Sequence, residues 1–566
     1  MRLSRPALST AAIGLLLLAA APGYASPAEP AGPSAPVRDC APATPAAPDR
    51  TDHDPSCLDV GLTLSRLPEV GGQADLDVTV RTTAAEDAID LAVELPDHLV
   101  WVNAPGEAAV TTTQSAVPID RGQVSTARSH HQVLSGAPLT LHGTVKAVGT
   151  GPAEIRATAT ATGGADAATA ARHLTIGTDA STSGIAVKDV GDVVPTTMPG
   201  TRSSLAWTHK PVATPGTQTR PDRGQACVTG TWNYVEHTGY TRVSANAAVE
   251  VYDAETGAPD ELLVSGFTDA EGRYSLCFDN KDAGDRTQDV YVRLSTDNPQ
   301  FVVRSKVTKQ PYRFATATKR NVKTGGVVDF GAVQPSAPEL MRGVEAFDTA
   351  NTGWNFVPGG CWDARDTTCR KAVVNWEPDS TTCCWYDLQQ DAAYIAAATP
   401  DTPIVVLHEL GHGLMDDVYE DAYPPFPNCS PHSLHRASSA GCAWTEGWPT
   451  FFAATALRDY FFRWEDGRIL DLENATWGTA LPGRVWENGD LVEGRVAGAL
   501  IDLSDAGRNE AADTCAEDPQ GPLWNTFLDH VSGTFHEFWQ QRAADGHDVG
   551  ATALACLQYN TIDYRS

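Results

Sequence analysis

Beyond its first 25 residues the chain has no long apolar run, and nothing approaches the roughly 18 to 20 consecutive apolar residues that a membrane-spanning helix needs. Basic charge is scarce too: 41 Lys and Arg stand against 71 Asp and Glu, for a formal net charge of −30. Such a surface repels phosphate backbones and anionic lipid, so nucleic acid and membrane are not expected as partners. The cysteines lack the paired CxxC spacing of a thiolate zinc knuckle, which argues against a metal site at Cys361, Cys369, Cys383 and Cys384.

The first 25 residues themselves read as a secretory signal peptide. Arg2 and Arg5 precede the apolar run Ala11 to Ala21, and Gly23, Tyr24 and Ala25 offer small residues where cleavage before Ser26 requires them. Losing those two arginines takes the net charge from −30 to −32. Export also suits the 12 cysteines, for which disulfides are the default in an oxidising compartment. Neighbours in sequence include Cys40 and Cys57, Cys361 and Cys369, Cys383 and Cys384, Cys429 and Cys442, and Cys515 and Cys556. Sequence leaves their connectivity open.

With 566 residues the chain is too long for one core. Residues 26–56 are rich in Pro and Ala and read as a spacer. From 57 to 179 the period is two, as in Leu76, Val78 and Val80 and then Ile89, Leu91, Val93 and Leu95, which predicts an immunoglobulin-like β-sandwich. Residues 180–224 read as a linker. A second strand-rich segment covers 225–335, with a hairpin signal in SGFTDAEGRYSLCF. Its Thr268 to Tyr274 turn, after a strand beginning Val228-Thr229-Gly230, resembles the carboxypeptidase regulatory-like, transthyretin-like sandwich, which would make it an accessory module. Cys227 and Cys277 fall in two of its strands and could bridge them.

Residues 336–566 are expected to form an α+β, mainly helical domain. Ser336 with Glu339, and Thr534 with Glu537, have capping-box spacing. Within this domain lies DTPIVVLHELGHGLMDDVYE, residues 401–420. On a helix capped by Asp401 and entered through Thr402 and Pro403, His408 and His412 share one face and Glu409 points to the same space. That is a candidate zinc centre. Gly411, beside the second histidine, is understandable if another backbone passes close.

A catalytic zinc needs a third protein ligand and an open position. Six residues past His412 stands Val418, which excludes the compact three-histidine arrangement. The better-placed residue is Glu446 in CAWTEGWPTFFAATAL, read as opening a second apolar helix with Thr445 near its cap and Pro449 in its first turn. His432 and His435, in the stretch between, are rival ligands and read as solvated loop residues.

An HExxH helix followed by Glu-Gly-Trp on the next long helix resembles the gluzincin clan of zinc metallopeptidases. The resemblance implies His408, His412 and Glu446 as ligands of one Zn²⁺ and Glu409 as general base, acting on a protein or peptide substrate. Many members place an aspartate four residues after the ligand glutamate, where this chain has Thr450; Asp416 or Asp502 could orient a histidine instead. The clan's transition-state donor comes from a region here containing His530, His536 and Tyr559, of which His536 is the candidate. The competing expectation is an extracellular binding or adhesion protein whose metallopeptidase-like domain is catalytically silent.

Overall fold

The alternation at Leu76, Val78 and Val80 is realised in a strand, Gln73–Thr82, that buries every second side chain. In the computed structural model, residues 50–52 and, with gaps, 58–565 are described; the longer gaps are 115–122, 179–189, 214–219, 363–369, 474–485 and 505–514. The expected signal peptide, and Cys40, Cys57, Cys361 and Cys369, lie outside the described residues. No described helix is long and apolar enough to cross a membrane.

The first unit is a two-layer antiparallel sandwich. One sheet orders Leu58–Leu64, Gln73–Thr82, Leu139–Ala147 and Leu99–Asn103. The other orders Ala167–Ile176, Gly151–Ala161, Glu86–Leu95, Gln123–Leu134 and Ala109–Gln114. Their inner faces form a core of their own around Leu76, Val78, Ile89, Leu91 and Ile155.

The second sandwich draws on the stretch expected to be a linker. Val190–Pro195 pairs parallel with Arg313–Ala315 and antiparallel with Val327–Pro335, joining the two layers. The hairpin signal also resolves differently. Glu261–Phe267 pairs with Ala248–Asp253, whereas Arg273–Asp279 pairs with Gln225–Val235, so the turn between them crosses from one layer to the other. Gly272 there has φ +68°, and a Cβ on it would lie 2.7 Å from the Trp232 carbonyl oxygen, so no other residue fits easily. Cys227 and Cys277 sit directly opposite on neighbouring strands and form a disulfide.

The helices are α1 (Met341–Phe356), α2 (Pro403–Val418), α3 (Ala440–Leu457), α4 (Glu493–Ser504), α5 (Pro522–Asp529), α6 (Phe535–Ala544) and α7 (Ala551–Tyr559). Every residue of α1 is buried. Its polar side chains therefore need partners, and several come from the second sandwich: Tyr234 donates to Asp348 (2.8 Å), His237 pairs with Glu345 (2.7 Å) and Asn246 donates to Asn351 (2.8 Å). The sheet beneath the motif helix likewise uses Phe301–Ser305, which pairs parallel with Ala372–Trp376. Ala392–Tyr394, Trp385–Asp387 and Arg50–Asp52 complete it. One hydrophobic core consequently runs from Ala226 to Ile562, across the boundary expected near 335.

The ends of the two key helices differ from expectation. Thr402, not Asp401, is the N-cap of α2, because Arg342 takes both oxygens of Asp401 at 2.7 Å. Helix α3 starts six residues before Glu446 at Ala440, where the Ser439 side chain accepts from Cys442 N (3.1 Å). The N-cap of the first short helical turn is Ala337 rather than Ser336, whereas Thr534 accepts from Glu537 N and Glu537 accepts from Gly533 N at the start of α6.

Pro449 lies inside α3, where it meets α2. A Cβ on Gly411 would stand 2.8 Å from Pro449 Cα and 2.9 Å from its Cβ. Backbone cannot swing aside as a flexible side chain would, so Gly411→Ala should force the helices apart and cost about 1–3 kcal/mol. A thermal melt checks this; an unchanged midpoint would show that the crossing tolerates a methyl group.

Candidate metal centre

Helix α2 presents His408 and His412 one turn apart, and α3 brings Glu446 across to them. The two Nε2 atoms are 3.1 Å apart; Glu446 Oε2 lies 3.1 Å from His408 Nε2 and 3.3 Å from His412 Nε2. Metal–ligand bonds of about 2.0–2.2 Å in a tetrahedron separate neighbouring donors by about 3.3 Å, so this nitrogen, nitrogen and oxygen set fits a zinc ion. All three side chains, and Glu409 beside them, are buried.

Each ring is fixed from behind. His408 Nδ1 is 3.0 Å from Thr450 Oγ1, and His412 Nδ1 is 2.8 Å from the Tyr423 hydroxyl. With both Nδ1 atoms engaged, both Nε2 atoms face Glu446, the arrangement that metal-binding imidazoles adopt. Burial pushes the His408 imidazole down to about 4, keeping its ring neutral. Burial alone would raise the Glu446 carboxyl, but His432, His412 and His408 hold it well below the usual range.

The stretch between α2 and α3 is not a free loop. Cys429 and Cys442 form a disulfide, and Cys429 Sγ lies 3.7 Å from Glu446 Oε1. His432, read from sequence as solvated, is instead buried, with Nδ1 2.6 Å from Glu493 Oε2 and Nε2 3.8 Å from Glu446 Oε2. His435 is buried as well, and its Nδ1 meets Ser433 Oγ at 2.8 Å. Glu493, at the start of α4, has no local sequence sign of this contact, whereas the flanking cysteines do signal that the loop is tied down.

The other candidates lie apart. His536 is exposed on α6, where its ring meets Tyr564 and Gln540. His530 pairs with Asp545, and Asp502 accepts from Asn560. Asp416 groups with Asp391 and Asp421 rather than with either histidine, so Thr450 and Tyr423 hold the rings in place of the two aspartates considered. Cys383 Sγ and Cys384 Sγ each lie 3.3 Å from Thr399 Oγ1, apart from the histidine pair.

Three protein-family models match the chain: the mycolysin N-terminal domain over 59–185, the mycolysin middle domain over 227–343 and the mycolysin C-terminal domain over 356–561. The chain carries the three mycolysin domains in order. They mark it as a peptidase, and the His–His–Glu group falls within the mycolysin C-terminal domain. The segment resembling a carboxypeptidase regulatory-like module is the one matched by the mycolysin middle domain.

No curated protein matches the chain. Among solved structures, similarities include a 9R-lipoxygenase from Cyanothece PCC8801, at 21% identity over 28% of this chain and 24% of that one, with a TM-score of 0.16. The chain thus spans about a quarter of that lipoxygenase. The major pilin SpaD from Corynebacterium diphtheriae is similar at 11% identity over 49% of this chain and 68% of that one, with a TM-score of 0.16. At these scores neither bears on fold or function.

If Thr450 and Tyr423 orient the rings, Thr450→Ala and Tyr423→Phe should each weaken metal affinity about 10–100-fold, the range for lost outer hydrogen bonds. Competition with a chromogenic chelator measures it. Unaltered affinity in both variants would show that helix packing alone sets the rings.

Proposed function

We propose that the chain is a secreted zinc metallopeptidase of the gluzincin kind, with His408, His412 and Glu446 holding one zinc ion and Glu409 as general base. The observation that carries this is the mutual spacing of the three donor atoms, 3.1, 3.1 and 3.3 Å, inside a domain of mycolysin type. The disulfides and the predicted signal peptide support export.

Bound zinc would lower the pKa of a coordinated water toward about 7 and polarise the scissile carbonyl. Glu409, next to His408 on α2 and buried, would take a proton from the attacking water and pass it to the leaving amine. Thr450 and Tyr423 keep the histidines facing the metal. His432, whose Nε2 lies 3.8 Å from Glu446 Oε2, would replace the exposed His536 as the donor to the carbonyl oxygen as charge develops there. Its Nδ1 lies 2.6 Å from Glu493 Oε2, which fixes the ring with Nε2 toward Glu446.

An extended peptide would add to the sheet near α2 only by displacing the strand that pairs outside Trp385–Asp387, which carries Tyr386 against Gly413. Arg50–Asp52 pairs with that same strand.

Elemental analysis of the purified protein should find close to one zinc per chain, lost in Glu446→Ala. Glu409→Gln should keep the zinc and lower hydrolysis of a casein-like substrate about 10²–10⁴-fold, the usual contribution of a general base. Near-native hydrolysis in that variant would remove Glu409 from the role. A metal-loaded wild type with no chelator-sensitive hydrolysis of any peptide library would favour the silent-scaffold reading.

His432→Ala and His536→Ala separate the two donor assignments. The first should lower kcat about tenfold or more with zinc content and KM little changed, as expected for a contact made mainly in the transition state. The second should be close to wild type. The reverse pattern would return the donor role to α6.

A further inference from the structure

One turn past His412, at the far end of α2, Asp416 is 3% exposed, and its Oδ2 has no hydrogen-bond partner among the described residues. Leaving a buried carboxylate without a partner costs free energy that the fold must recover elsewhere. Its oxygen lies within 4.8 Å of an oxygen from Asp391 and another from Asp421. Asp391 stands between the strands Trp385–Asp387 and Ala392–Tyr394, and Asp421 follows α2.

The cation in contact with this group is Arg370. It bonds Asp417, reaches Asp421 at 2.7 Å and comes within 3.6 Å of Asp391. Among the described residues its hydrogen bonds and ion pairs go to Asp391, Asp417 and Asp421, and it acts on Asp416 only through space. One guanidinium thus faces four carboxylates, Asp391, Asp416, Asp417 and Asp421. Burial, reinforced by Asp421, Asp391 and Asp417 and opposed by Arg370, pushes the Asp416 carboxyl up to about 7. The negative end of the α2 dipole adds to the demand for positive charge.

We propose that Asp391, Asp416 and Asp421 hold a hard divalent cation of the calcium class, at a site separate from the zinc centre. The donors are all oxygen, which suits calcium and disfavours zinc or copper. They come from a turn, a helix end and the segment after it, a pliable set that fits calcium's larger and less regular shell better than the strict octahedron of magnesium. Water and backbone carbonyls would complete the coordination. The ion would tie the end of α2 to the strands beneath it, holding the turn that carries His412.

The test is calorimetric titration of the full zinc-counted protein with CaCl₂ and, separately, MgCl₂, with thermal unfolding followed in parallel. The expected result is one saturable calcium site with a dissociation constant of about 0.1–1 mM, as in extracellular modules. A higher unfolding temperature should accompany it. Asp416→Asn and Asp391→Asn should each weaken binding about tenfold or more. Asp391 is 48% exposed, so its variant remains informative if Asp416→Asn fails to fold. Calcium binding should persist in Glu446→Ala, which removes only the zinc. No saturable calcium binding, a preference for magnesium, calcium affinity unchanged in Asp391→Asn, or calcium lost along with zinc in Glu446→Ala would each overturn the proposal.

Discussion

The C-terminal half depends on how closely α2 and α3 approach. Glu446 reaches the two histidines because Gly411 lets the Pro449 backbone lie almost in contact with α2. A wider crossing would move the carboxylate away from the 3.1–3.3 Å spacing that makes three separate bases one donor set. The same crossing explains a proline inside a helix. Pro449 forgoes one backbone hydrogen bond, yet it presents a flat, rigid surface where the facing residue has no side chain. Thr450, next along α3, is thereby placed behind His408.

How much of this was legible in the sequence depends on whether the information is local. His408, Glu409 and His412 are set by helical periodicity alone, and periodicity survives any tertiary context. Glu446 was legible as a residue but not in its setting: Thr445 and Pro449 look like the entrance of a helix, whereas Ser439 caps it a turn and a half earlier. Asp401 likewise looks like a cap until Arg342, 59 residues away in sequence, occupies both its oxygens. His432 was misread for a related reason. Its burial depends on a disulfide, whose cysteines are visible on either side of it, and on Glu493, 61 residues downstream, a relation with no local signature. Polar side chains are placed by partners, and their partners are usually distant.

The boundaries of the units show the same division. In the first sandwich, alternating strands pair with strands of the same segment and close their own core, so periodicity was a sufficient guide. The second sandwich and the C-terminal region do not separate in this way. Ala372–Trp376, Trp385–Asp387 and Ala392–Tyr394 are too short to make a stable support for α2 alone. Phe301–Ser305 widens that sheet, and α1, buried on every side, takes hydrogen-bond partners from both regions. Composition along the chain changes near 335, but the packing does not.

These shared contacts bear on the chemistry. A buried group of three carboxylates and three histidines is stable only if its charges are balanced and its geometry is held against their mutual repulsion. The holding elements are distributed: Thr450 from α3, Tyr423 from the loop after α2, Glu493 from α4, and a disulfide that closes the loop between them. Helix α1, pinned to the second sandwich through Tyr234, His237 and Asn246, packs against both α2 and α3. The middle region is therefore part of the framework that sets the metal-binding geometry, and an accessory role for it, natural from its sequence, is too small a description. Removing residues 225–335 would delete a strand from the sheet under α2 and strip the partners from α1, so the metal-binding helices would lose their support along with the domain.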